Sequence, residues 1–158
     1  MNDEGIDHPA NIKTYPSALR YVVKHIVPDK PTVERIQRMR QHQDAHEKQW
    51  HAGRIAIQQK FKARIEGRKK LDSVMMLIGE DQSTTLERDI EAQDKADEEQ
   101  ELKNYDAKVY KASIAMVKSM STELASLGIP FFVTNEANTE PDPELKIKMI
   151  QLLEDVTS

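Results

Sequence analysis

From Thr32 to Ile78 no proline interrupts the chain. Ile36, Met39, Trp50, Ile57, Phe61, Leu71, Val74 and Ile78 recur there with steps of three and four, and Met39 to Trp50 is one 11-residue interval. In seven-residue phase, Gln43 and His46 take the two intervening seam positions. That pattern predicts a single long helix with a narrow apolar face. Gly53 and Gly67 are the places where it would bend or break. Gly79-Glu80-Asp81-Gln82-Ser83 reads as a turn, and Thr84-Thr85-Leu86-Glu87 as a capping box that starts a second helix. The second seam is Leu102, Tyr105, Val109, Ala112, Met116, Met120, Leu124 and Leu127, with Gly128 in the stop position.

Shorter elements flank this pair. A polar tail over 1–13 precedes a helix over 15–27 that has Pro16 in its first turn and Thr14 as its cap. Pro28 and Pro31 end that helix. Ile129 to Val133 forms an extended apolar segment, residues 134–142 a linker, and 143–156 a last helix with Leu145, Met149, Leu152, Leu153 and Val156 on one face. The fold class expected is all-α: a long antiparallel, coiled-coil-like helical hairpin with a short N-terminal helix and a C-terminal helix.

Charge supplies a register for the hairpin. Residues 54–70 carry seven basic side chains against one acidic, a net of +6, and residues 87–101 carry eight acidic against two basic, a net of −6. A hairpin closing near residue 80 sets residue n beside roughly 161 − n. The basic stretch then lies along the acidic one, while Val74 meets Leu86, Leu71 meets Ile90, Ile57 meets Tyr105 and Met39 meets Leu124. Exposed ion pairs contribute only about 0.2–1 kcal/mol each, so charge selects orientation and the seam supplies stability. A parallel homodimer would set like charges side by side. The weak stretch of this hairpin is 91–101, where apolar residues are sparse; the sequence leaves open whether it frays, or orders only when bound.

Composition narrows the function. Charged residues make up 32% of the chain and aromatics 5%, which suits long helices rather than layered sheets. There is no cysteine, so disulfides, thiolate nucleophiles and thiolate metal sites are excluded. No apolar run approaches the ~18 residues of a membrane span, and the N-terminus lacks a signal-peptide core. A soluble protein of cytoplasm or nucleus is expected.

Few residues suggest chemistry. His42 and His46 stand four apart on one helix face, a spacing that can hold a metal. No third ligand shares that face, and no metal or cofactor is expected. Lys60, Lys62, Arg64, Arg68, Lys69 and Lys70 form a basic strip that nucleic acid would recognise if the acidic segment were displaced. Trp50, the only tryptophan, falls on the seam, where packing competes with a role as partner anchor. Ile129, Pro130, Phe131, Phe132 and Val133 hold two of the three phenylalanines. They either fold over the open end of the hairpin or dock in a partner's groove, together with Leu145, Met149 and Leu152 of the last helix. No phosphate loop, nucleophile elbow or carboxylate pair in an apolar setting occurs, so no enzyme is expected.

Several stretches carry a resemblance: Thr14-Tyr15-Pro16-Ser17-Ala18-Leu19-Arg20-Tyr21-Val22, His46-Glu47-Lys48-Gln49-Trp50-His51-Ala52-Gly53-Arg54, Lys69-Lys70-Leu71-Asp72-Ser73-Val74, and Tyr105-Asp106-Ala107-Lys108-Val109-Tyr110 leading into Leu127-Gly128-Ile129-Pro130-Phe131-Phe132. Together they resemble an uncharacterised fungal family, a domain of unknown function, over about residues 14–133. The resemblance implies a fungal intracellular helical protein and brings no site residue with it. The function expected is a structural or adaptor subunit of a protein complex. A nucleic-acid-associated factor is the alternative, and homo-oligomerisation stays open.

Overall fold

A computed structural model describes residues 8–79, 84–134 and 141–158. In chain order a short 3-10 turn (Pro9–Asn11) leads to helix α1 (Tyr15–Tyr21) and a π-helical turn (Val22–Ile26). Helices α2 (Lys30–Ile78), α3 (Thr84–Ser126) and α4 (Pro143–Thr157) follow. Among the described residues there is no strand. The expected all-α hairpin is what forms: α2 and α3 pack antiparallel, with short helical elements at the N- and C-terminal ends. Past Gly79, the expected turn lies outside the described residues, as do the side chains of the capping box before Glu87 and most of the linker.

Of the tail expected over 1–13, residues 1–7 lie outside the described residues. Pro9–Asn11 form a 3-10 turn capped by His8, and Ala10 is buried. Thr14 precedes α1 without capping it; its hydroxyl donates to the Ser17 hydroxyl at 2.9 Å instead. Helix α2 runs through Gly53 and Gly67 without a break. Residues 91–101 are helical throughout.

The chain divides into two compact units. One comprises the residues up to Asp44 with Ile114–Ser158, the other Ala45–Ser113. In the first, Ala18, Val22 and Ile26 bury with Ile36 of α2, Leu124 of α3, Ile129 and Phe131, and Met149, Leu152 and Leu153 of α4. Met39, Leu127, Phe132, Leu145 and Val156 pack around them. Gln37 donates to the Thr157 carbonyl at 2.6 Å, tying the end of α4 to α2, and Arg35 pairs with Glu123 at 3.0 Å.

In the second unit ion pairs flank the half-buried seam. Arg54 pairs with Asp106 at 3.1 Å, Lys60 with Glu101 at 2.6 Å, and both Arg68 and Arg64 with Asp94. Lys60–Glu101 falls on the expected register, Arg54–Asp106 one residue below it and Arg68–Asp94 one above. Asp94 is only 5% exposed, although it sits in what reads as a solvated acidic run. Burial of a carboxylate is tolerable here because two guanidinium groups meet it. Phe61, 2% exposed, lies under Lys60 and Arg64, whose cationic groups stand 4.9 and 4.7 Å from its ring centre. Toward the end of α2 the seam is poorly covered. Leu71, Val74 and Ile78 are more than half exposed, so the expected Leu71–Ile90 contact does not bury Leu71.

Candidate docking site

Helix α3 ends in a left-handed glycine. Gly128 has φ +77°; its N–H donates to Ala125 O at 3.1 Å, and Ile129 N–H donates to Leu124 O at 3.1 Å. This is a Schellman end, with Ile129 and Leu124 supplying its apolar contact in the core. A second turn follows at once: Phe132 N–H donates to Ile129 O at 3.2 Å, with Pro130 and Phe131 between them. Phe131 takes φ +73°, the third turn position that normally falls to glycine. A phenylalanine there costs on the order of 1–3 kcal/mol of backbone strain. The conformation puts the Phe131 side chain in the core and Phe132 at the wall of a groove.

That groove, about 170 Å³, belongs to the first unit. Met39, Arg40 and Gln43 of α2, Val117 and Met120 of α3, Phe132, and Ile150, Leu153 and Glu154 of α4 line it. Its border mixes exposed apolar residues, Val117 at 59% and Ile150 at 43%, with the charged Arg40 and Glu154. Ile114, one turn before Val117 on α3, and Ile147 of α4 are more than half exposed as well. The groove is open on one side and is lined by Ser121 and Thr157 as well as by apolar residues. Its volume is on the order of one large side chain.

The residues read from the sequence as docking elements are divided by this arrangement. Ile129, Pro130, Phe131, Met149 and Leu152 are buried inside the chain, and their apolar surface is already taken up by its own core. Phe132, Val133 and Leu145 are half-buried; of the segment's phenylalanines only Phe132 reaches the groove, and Lys146 stands 5.9 Å from its ring centre. Trp50 belongs to the other unit. It is half-buried, its indole stacks on His46 with ring centres 5.7 Å apart, and its carbonyl accepts a hydrogen bond from the Tyr105 hydroxyl at 2.8 Å. In the basic strip, Lys60, Arg64 and Arg68 are engaged by α3 carboxylates, and Lys62, Lys69 and Lys70 are exposed. Arg54, next to the strip, is pushed further above the ordinary guanidinium range by its hydrogen bond to Asp106 and then by that carboxylate's charge.

A family model described as "Protein of unknown function (DUF2458)" matches residues 8–144. The chain belongs to this family. The match is wider at both ends than the 14–133 suggested by the recognisable stretches. It takes in the N-terminal 3-10 turn, α1 to α3 and the turn at Phe131, and ends at the second residue of α4. The α4 wall of the groove thus lies past the family match. No curated protein and no solved structure matches the chain.

The groove residues outside the seams escaped the sequence reading. Val117 lies off the Met116–Met120 seam, and Ile150 off the Met149–Leu153 face. A signal existed, because Ile114 and Val117 repeat at three residues on a second stripe of α3, which a reading for one apolar face per helix passes over.

Proposed function

We propose that the chain is a non-enzymatic structural or adaptor subunit of an intracellular protein complex, nuclear or cytoplasmic, and that its partner docks in the groove between α2, α3 and α4. One observation supports this reading above the rest: an apolar groove whose rim residues Val117 and Ile150 stand open to water. Apolar surface gathered around a groove is costly to hydrate and marks interaction sites. The buried docking candidates pass their role to this rim.

Affinity purification of Val117→Asp and Ile150→Asp variants against the unaltered chain tests it. Both positions are exposed, so the fold is retained, which circular dichroism checks. The expected result is loss of the same partners from both variants, with partners kept by an exposed-site control such as Lys62→Ala. An unchanged partner set in both variants sinks the reading. Among the described residues no helix is long and apolar enough to cross a membrane.

A further inference from the structure

The last turns of α2, within the unit Ala45–Ser113, carry an apolar stripe that the hairpin does not cover. From Phe61 onward the more buried positions of this helix are Phe61, Ile65, Arg68, Asp72 and Met75, in steps of 4, 3, 4 and 3. That is the face turned to α3, whose Asp94 meets Arg68. Gly67, Leu71 and Val74 each come one residue before that seam, and Ile78 continues their spacing. They line a second face, about 100° round the helix. Leu71, Val74 and Ile78 are more than half exposed, and Leu77 beside them is 88% exposed. An added Cβ at Gly67 would meet nothing within 4 Å, so the stripe is open there too.

This stripe is its own complement. Gly67, Leu71, Val74 and Ile78 are spaced 4, 3 and 4, steps that read the same in both directions. A second copy laid antiparallel, about a twofold axis between Leu71 and Val74, therefore matches it layer for layer. Ile78 of each copy faces Gly67 of the other, large against small, and Leu71 faces Val74. Charge selects the direction. A parallel copy would set Lys69 and Lys70 on their own counterparts, whereas the antiparallel one puts them beside Met76 and Met75 of the second copy. Charge also disfavours an anionic lipid surface. Glu66 and Asp72 stand within a turn of Lys69 and Lys70, and Arg68 is taken by Asp94, which leaves no cationic excess. Four layers make a small contact, below the about 1,200–2,000 Å² buried in stable complexes, so the association is weak and concentration-dependent.

We infer that this end of α2 is a self-association surface, on which two copies of the chain pair antiparallel through Gly67, Leu71, Val74 and Ile78. It is independent of the groove read above as the partner site, which belongs to the other unit.

Sedimentation of the full chain from roughly 1 µM to 1 mM tests it. The expected result is a mass that rises from one chain toward two, with Val74→Asp and Gly67→Phe each weakening the dimer about tenfold or more. Both positions are open to water, and circular dichroism checks that each variant folds. The chain has no cysteine, so a nitroxide on Ser73→Cys or on Lys62→Cys is a unique label. Antiparallel pairing brings the two labels at position 73 close together and holds those at position 62 about 30 Å apart along the helices. Short separations at both positions overturn the antiparallel register. A chain that stays monomeric throughout, or a dimer that Val74→Asp leaves intact, overturns the self-association surface altogether. So does a dimer lost with Val117→Asp alone, which places the contact in the groove. Monomers that sediment with phosphatidylserine vesicles, and no longer do so with Val74→Asp, assign the stripe to lipid and overturn it as well.

Discussion

In the unit formed by the residues up to Asp44 with Ile114–Ser158, ten apolar side chains bury against one another; among the described residues of Ala45–Ser113, Phe61 is the one buried apolar side chain. The second unit keeps a half-buried seam of Ile57, Ile65, Leu102, Tyr105 and Val109 and adds carboxylates facing guanidinium and ammonium groups along the two helices. The same pair of helices is therefore held by two kinds of force. Burial of apolar area is nearly indifferent to salt, whereas partly exposed ion pairs are screened as ionic strength rises. Four changes would break or sharpen this contrast.

The largest effect is expected at Phe131. Phe131→Ala removes a ring that is 2% exposed and costs about 3–5 kcal/mol, because the turn it leaves behind keeps its left-handed residue. Urea denaturation followed by circular dichroism measures it. The loss should be the same at low and high salt, and a strongly salt-dependent loss would contradict the apolar account of this unit.

Asp94→Asn comes next. It leaves Arg64 and Arg68 without their carboxylate, and charge-assisted hydrogen bonds of this kind contribute about 1.5–3 kcal/mol, less here for the exposed share of Arg64. The measured loss should shrink as salt is added. If it does not, the second unit is not held by charge in the way its contacts suggest.

The two interior glycines of α2 look alike in the sequence and are opposites in the structure. At Gly53 an added Cβ would lie on the Tyr105 hydroxyl and 2.8 Å from Cζ, while that hydroxyl bonds the Trp50 carbonyl. Gly53→Ala must push the ring aside, losing about 1–3 kcal/mol by overpacking. Adding Tyr105→Ala should make the alanine at 53 harmless, which a double-mutant cycle reads directly.

How much of this was legible follows from where each fact resides. Helix limits, the stop at Gly128 and the antiparallel register could be read because they depend on spacing and on charge summed over many residues. Lys60–Glu101 sits on the register that charge alone predicts. Asp94 could not be read as buried, since its burial depends on Arg64 and Arg68 arriving from 26 or more residues away. Phe131 looked like a docking residue because a phenylalanine with positive φ is not something a sequence announces. The groove was hidden for a similar reason. It exists only once α4 packs beside α2 and α3, and its rim uses positions that periodicity assigns to solvent.

The smallest predicted effect has the opposite sign. Gly67 is in the same helix, its backbone is helical, and an added Cβ meets nothing within 4 Å. Its only consequence is entropic, because glycine leaves the unfolded chain more freedom to lose. Gly67→Ala should therefore stabilise the second unit by about 0.5–1 kcal/mol, independent of salt, through the unfolded state rather than through any contact. Hydrogen exchange of amides around Gly67 measures the local gain even if global unfolding is governed by the first unit. Slower exchange there, with no change near Met149, is the expected outcome. Faster exchange would mean that Gly67, like Gly53, is accommodating a neighbour.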